Sequence, residues 1–122
     1  MIRCLITDGS YKANPSRWLQ HAESWIREGV ELIQIRERDL PARELAEATR
    51  RVLWLAKPHG TKILVNDRAD VAIACGANGV HLRDHSPAIG LFQRPGFLVT
   101  VSCHAADEGD QMAGADYLLL AP

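Results

Sequence analysis

The sequence lacks the features that mark membrane proteins, secreted proteins and nucleic-acid-binding proteins. No stretch approaches the roughly 20 apolar residues that a membrane-spanning helix needs, and the apolar N-terminus reaches Asp8 before a signal-peptide core could form. Lys and Arg number 14 against 15 Asp and Glu, so no general electrostatic attraction draws the chain to nucleic acid or to a membrane surface. We therefore expect neither as a partner.

Cysteine is scarce and has no pairing pattern. Cys4, Cys75 and Cys103 are odd in number and form no C-x-x-C motif, which argues against a disulfide framework and against a zinc knuckle. Reduced thiols are the simpler interpretation, so we expect a cytoplasmic protein. The 122 residues, 47% hydrophobic and 24% charged, suit one globular domain over residues 1–122.

Short apolar segments alternate with amphipathic segments along the chain. Asn14 followed by Pro15 is a typical helix start, and Trp18, Ala22, Trp25 and Ile26 then recur at helical spacing. Strands that alternate with helices imply a parallel sheet with crossover connections. We predict strands near 3–9, 31–35, 62–65, 80–82, 97–101 and 117–121, further helices from Pro41, Ala69 and about Asp107, and a loop over 86–95.

Polar residues stand at one end only of the predicted strands. Because the carboxyl ends of parallel strands share one rim, these side chains should meet there, where barrels and open sheets build their sites. The chain has no G-x-G-x-x-G after its first strand and no P-loop, which favours a barrel-type arrangement over a doubly wound sheet. The rim positions are Thr7-Asp8, Gln34 to Asp39, Asn66-Asp67, Arg83-Asp84, and Ser102 with His104.

The run from Gln34 to Asp39 is the densest of these groups. Side chains alternate faces along a strand, so Gln34 and Arg36 point to one side, and Arg38 continues that row if the extension persists. Guanidinium groups pair bidentately with phosphate oxygens. The run therefore predicts a phosphate or pyrophosphate site, with a solvated strand end as the alternative.

Five motifs in order resemble thiamine phosphate synthase and its close relative, thiazole tautomerase. The resemblance extends over essentially the whole chain and implies a (β/α)8 barrel. The motifs are Gln34-x-Arg36-x-Arg38-Asp39, Leu64 to Ala72, Gly76 to Leu82, Val101 to His104, and Gly114 to Tyr117.

Thiamine phosphate synthases join a hydroxymethylpyrimidine pyrophosphate to a thiazole phosphate and expel pyrophosphate with Mg²⁺. The resemblance implies that Gln34, Arg36 and Arg38 grip the pyrophosphate, where the two arginines would stabilise the leaving group. It further implies that Asn66 and Ser102 contact substrate and that Asp67 binds the Mg²⁺. Arg38 replaces the family's lysine, which keeps the charge but changes its geometry.

The chain departs from the family pattern at two places. The family's second metal carboxylate falls on Ser86, a change that should weaken Mg²⁺ binding. The family's chain also continues for roughly two more βα units beyond the position of Pro122. We therefore expect an incomplete barrel of about six βα units.

Two other functions stay open from the sequence. A thiazole tautomerase would use His104 as acid or base, since a histidine titrates near neutral pH and needs no metal for a proton shift. A non-catalytic, ligand-binding fragment is the third reading, because an incomplete barrel exposes a strand edge that could pair in a homodimer. His81, inside a predicted strand, is expected to be a core or lining residue.

Overall fold

The computed structural model of the protein describes residues 2–83, 92, 94–103 and 117–120. Within them, no helix is long and apolar enough to span a bilayer. The predicted helix near Asp107 and most of the loop over 86–95 lie outside the described residues.

The elements are β1 (Cys4–Ile6), α1 (Pro15–Arg27), β2 (Leu32–Ile35), α2 (Ala42–Ala56), β3 (Lys62–Asn66), α3 (Ala69–Cys75), β4 (Gly79–Leu82), β5 (Leu98–Cys103) and β6 (Tyr117–Leu120).

The six strands form one parallel sheet in which spatial order follows chain order. A doubly wound sheet reverses its strand order at a switch point, whereas a barrel adds each strand beside the previous one. The sheet therefore confirms the prediction of a barrel-type α/β fold. Its six strands agree with the expected incomplete barrel.

The helices begin and end where their sequence signals predict. Asn14 caps α1, because its side-chain oxygen accepts the N–H of Arg17 at 3.1 Å, and Pro15 occupies the first turn. On α1, Trp18 is buried, whereas Trp25 is only half-buried. α3 begins at Ala69, as predicted, and ends at Cys75. The next residue, Gly76, has a φ of 71°, which suits a residue without a side chain.

Two strands have an end that differs from the prediction by more than one residue, and the other strand ends differ by at most one. β1 is shorter than the predicted segment over 3–9, because Gly9 adopts a φ of 87° and the Thr7 hydroxyl binds Glu37 at 2.7 Å, so the chain turns away from the sheet. β5 runs on to Cys103, because Ser102 and Cys103 still pair with β6.

The hydrophobic core lies between the sheet and the helices. One face of each strand from β2 to β5 contributes to it, and the buried faces of α1 and α2 cover it. This packing explains why the strands read as short apolar runs. The strand residues of the core are Ile33, Ile35, Ile63, Val65, Val80, Leu82, Val99 and Val101.

The Gly-Ala-Asn-Gly motif after α3 fastens three neighbouring strands together. The Asn78 side-chain oxygen accepts the N–H of Ile63 at 2.8 Å, and its backbone oxygen accepts the N–H of Leu98 at 2.8 Å. Gly79 is packed so closely against the Leu98 backbone that a Cβ would collide with it. The motif is therefore explained by strand packing.

A buried carboxylate holds the loop after β1 against the end of β2. Glu37, only 5% exposed, accepts the Thr7 hydroxyl at 2.7 Å and the backbone N–H groups of Gly9 and Tyr11 at 2.8 Å each. The Thr7 hydroxyl oxygen in turn accepts the N–H of Arg36 at 2.8 Å. These bonds fix the backbone from which the arginines after β2 project.

We expect Glu37→Ala to lower the free energy of unfolding by about 3 kcal/mol, because three donors lose a charged, buried acceptor. Urea unfolding followed by circular dichroism measures this loss. The matched control is Glu47→Ala, which breaks an exposed pair with Arg51 and should cost about 0.5 kcal/mol. Equal losses in the two variants would contradict the bracing role of Glu37.

Candidate active site

The register of the sheet places the polar rim residues in three successive rows on the face opposite the core. Gln34 pairs with Leu64, and Asn66, two residues further along β3, pairs with His81. His81 pairs with Thr100, and Ser102 follows two residues later on the same face of β5. Four neighbouring strands thus direct amide, imidazole and hydroxyl groups to the same side.

Gln34 is buried without a partner for its amide. The residue is 2% exposed, and its Nε2 has no hydrogen-bond partner among the described residues. A buried donor in this state costs about 1–3 kcal/mol, and native structures keep few of them without a functional reason. A ligand oxygen is the partner that this position suits.

His81 connects β4 to β5 on the same face. Its Nδ1 lies 2.6 Å from the Thr100 hydroxyl and its Nε2 lies 2.8 Å from the Ser102 hydroxyl. Burial, and secondarily the positive charge of Arg36, lower the pKa of His81 to about 4, against a smaller opposing effect of Asp67. His81 is therefore neutral at physiological pH and bonds both hydroxyls.

Arg36 and Arg38 are both exposed, at the carboxyl end of β2. The influence of Arg36 on His81 shows that its guanidinium lies within electrostatic reach of the imidazole. Neither arginine side chain forms an ion pair or hydrogen bond with another of the residues that the structure describes. Two cations thus stand at the rim, and no carboxylate of the described residues is bound to either.

Asp67 occupies a strained turn directly after β3. It is the one non-glycine residue with a positive φ, 62°, among the described residues. The N–H of Arg68 donates a hydrogen bond of 2.8 Å to the backbone oxygen of Asn66, the residue before Asp67. This arrangement is a γ-turn of the rare, strained type. Strain of this kind is typical of functional positions.

The Asp67 carboxylate is already engaged by an arginine. Its Oδ2 accepts a hydrogen bond from Nη2 of Arg83 at 2.6 Å. No group of three or more His, Cys, Asp or Glu side chains that could hold a metal occurs in the described part of the chain. These residues do not form a ready-made Mg²⁺ site, because Mg²⁺ requires several oxygen ligands in octahedral geometry.

The structure brings together most of the residues predicted from the sequence. Gln34, Asn66 and Ser102 share one face, and Arg36 and Asp67 both lie within electrostatic reach of His81. Arg38 stands at the same strand end. His104 and Ser86 lie outside the described residues.

Three features of the candidate site were not predicted from the sequence. His81 is a lining residue, as expected, but its pairing with two hydroxyls on the next strand carries no local signal. Glu37 looked like part of a charged run and is in fact buried. Arg83 was predicted at the rim, but its ion pair with Asp67 has no local sequence signal.

Comparisons with known proteins agree with this geometry. The family model described as thiamine monophosphate synthase matches residues 3–122. A putative thiamine-phosphate synthase of Geobacter sulfurreducens is 37% identical over 97% of this chain, and putative thiamine-phosphate synthase 2 of Aquifex aeolicus is 35% identical over 86% of it. The solved structure of thiamine phosphate pyrophosphorylase from Pyrococcus furiosus superposes with a TM-score of 0.82 at 27% identity and covers 99% of this chain.

The chain spans only part of these relatives: 57% of the Geobacter protein, 59% of the Aquifex protein and 60% of the Pyrococcus structure. The match of the family model nevertheless extends over almost the whole chain, and the fold superposes on that of the Pyrococcus protein. The chain therefore belongs to the thiamine monophosphate synthase family.

Proposed function

We propose that the protein acts in thiamine biosynthesis as a thiamine phosphate synthase-like transferase, which couples hydroxymethylpyrimidine pyrophosphate to thiazole phosphate and releases pyrophosphate. The observation that carries this proposal is the buried amide nitrogen of Gln34, which has no partner among the described residues and lies two residues before Arg36. Such an amide beside a guanidinium suits a bound pyrophosphate oxygen.

The chemistry of the leaving group assigns roles to the cations. Negative charge builds on the pyrophosphate as the bond to the pyrimidine methylene breaks, so fixed positive charge at that end stabilises the transition state more than the ground state. Arg36 and Arg38 would supply this charge. The rigid bonds of Glu37 and Thr7 hold the backbone of Arg36 in place before substrate arrives.

The neutral imidazole of His81 would orient Ser102 instead of contacting the substrate itself. Its two ring nitrogens already bond the Thr100 and Ser102 hydroxyls, and it adds no charge that would compete with the arginines for the pyrophosphate. Asn66 and Ser102 line the same face as substrate contacts. The Mg²⁺ expected at Asp67 stays a prediction from the family resemblance, and no step here depends on it.

Other expectations from the sequence also stay predictions. They concern a single domain over 1–122 that lacks about two βα units, the thiazole phosphate site, a homodimer, and a cytoplasmic location without nucleic-acid or membrane partners. Cys4 and Cys75, the free cysteines described, have thiol pKa values that burial raises, which fits unreactive reduced thiols.

Thiazole tautomerase is the second candidate function. The ion pair between Asp67 and Arg83 favours it, because a proton shift needs no metal at that carboxylate. His104, its expected acid or base, lies outside the described residues. Binding of inorganic pyrophosphate separates the two functions, since the tautomerase has no pyrophosphate to bind.

We expect Arg36→Ala to lower the formation of thiamine phosphate, detected by mass spectrometry, by about 100-fold, and to weaken pyrophosphate binding by about tenfold, because a charge-assisted contact is lost. The control is Arg17→Ala, which removes an exposed arginine on α1. Unchanged rates in Arg36→Ala would contradict the transferase assignment.

Replacing Gln34 separates binding from stability. Gln34→Leu fills a similar volume and removes the unsatisfied buried donor, so we expect the free energy of unfolding without ligand to rise by about 1 kcal/mol. The same variant should bind pyrophosphate more weakly by calorimetry. A variant that is less stable and binds normally would show that the amide serves folding alone.

The low pKa of His81 predicts a specific pH dependence of stability. The unfolded chain binds a proton near pH 6.5, whereas folded His81 does so only near pH 4, so His81 lowers the free energy of unfolding progressively as the pH falls from 6.5 to 4. Between pH 7 and pH 5 this loss should amount to about 1–2 kcal/mol.

Denaturant unfolding of His81→Gln, compared with the natural chain at both pH values, isolates this contribution, because glutamine can bond the hydroxyls but does not titrate. The control is His59→Gln, which replaces an exposed histidine. If the natural chain and His81→Gln lost equal stability on acidification, His81 would not be a buried neutral histidine.

A further inference from the structure

Arg83 and Asp67 form an ion pair at the point where the family places a metal ligand. Arg83 directly follows β4 and Asp67 directly follows β3, and their Nη2 and Oδ2 atoms are 2.6 Å apart. The Arg83 side chain is 72% exposed and that of Asp67 is 33% exposed. A pair this exposed adds little to stability, so its position needs another explanation.

The pair changes the charge that a metal ion would meet. A divalent cation is attracted to an ionised carboxylate, but here a guanidinium already neutralises that carboxylate and occupies one of its oxygens. A metal bound to the other oxygen would stand beside the guanidinium, whose positive charge repels it. The described residues supply no further cluster of ligands to offset that repulsion.

The same guanidinium stands where an anion is expected. β2, β3 and β4 are adjacent, so the residues that follow them share one short stretch of the rim. Arg36 follows β2, Asp67 follows β3, and Arg83 follows β4. Arg36 and Asp67 both act on His81, which shows that this stretch of the rim is electrostatically connected.

We propose that Arg83 takes the place of a divalent cation at Asp67: its guanidinium neutralises the carboxylate, keeps metal ions from it, and adds a positive charge for the bound pyrophosphate. The inference rests on the proposed function, because it concerns the same anion site. It predicts that pyrophosphate binds this chain without a metal ion at Asp67, and it assigns Arg83 a role in ligand binding.

The test compares the natural chain with Arg83→Met, which removes the charge and keeps a long side chain. Titration calorimetry with inorganic pyrophosphate is performed in excess chelator and again in millimolar Mg²⁺. We expect the affinity of the natural chain to differ by less than about threefold between the two conditions. Arg83→Met should bind about tenfold more weakly in chelator and recover in Mg²⁺.

A second measurement needs no pyrophosphate. Mn²⁺, a paramagnetic substitute for Mg²⁺, is titrated against each protein by electron paramagnetic resonance. Arg83→Met should bind Mn²⁺ at least about tenfold more tightly than the natural chain, because Asp67 is released. Adding Asp67→Asn to Arg83→Met should abolish the gain.

Arg51→Met is the matched control, because Arg51 forms an ion pair of similar length with Glu47 on α2, far along the chain from the rim. It should leave both measurements unchanged, and thermal unfolding confirms that each variant is folded. Pyrophosphate binding by the natural chain only in Mg²⁺, or equal Mn²⁺ affinity with and without Arg83, would overturn the inference. Absence of pyrophosphate binding in both conditions would instead refute the proposed function, and the Mn²⁺ measurement would still decide the role of Arg83.

Discussion

The in-register pairing of parallel strands is the constraint on which the site depends. Each strand pairs with its neighbour in chain order, so residues far apart in sequence lie in the same row across the sheet. A shift of one residue in any strand would turn its polar side chains towards the helices and its core residues away from them. The packing of the apolar face therefore fixes the position of the polar face.

The rim is built at a cost in folding free energy. Gln34 and His81 are almost fully buried. The amide nitrogen of Gln34 has no partner among the described residues, and burial holds the pKa of His81 far below its usual value. Asp67 adds a strained backbone. Side chains and backbone turns that destabilise the fold are commonly retained where they bind a ligand. These three residues lie at the same edge of the sheet, which supports a binding site there.

The electrostatics of the rim differ from what the family resemblance predicts. The resemblance predicts a metal ligand at Asp67, but the residue after the neighbouring strand supplies a guanidinium to the same carboxylate. Arginine is permanently charged and offers several donors, so it can bind phosphate oxygens as well as a carboxylate. The proposed anion site would thus keep its positive charge through a guanidinium instead of a metal ion.

The sequence by itself determined the order of elements, the cap of α1 and the apolar faces of the helices. It also determined the strand ends that carry Gln34, Arg36 and Asn66. These features follow from local periodicity and local capping chemistry. Contacts between distant segments were decided only by the tertiary structure. Glu37 reaches Thr7 across 30 positions, His81 reaches Ser102 across 21, and Arg83 reaches Asp67 across 16. Local sequence patterns do not predict contacts between residues so far apart in the chain, since strand register and loop packing arise only when the whole sheet assembles.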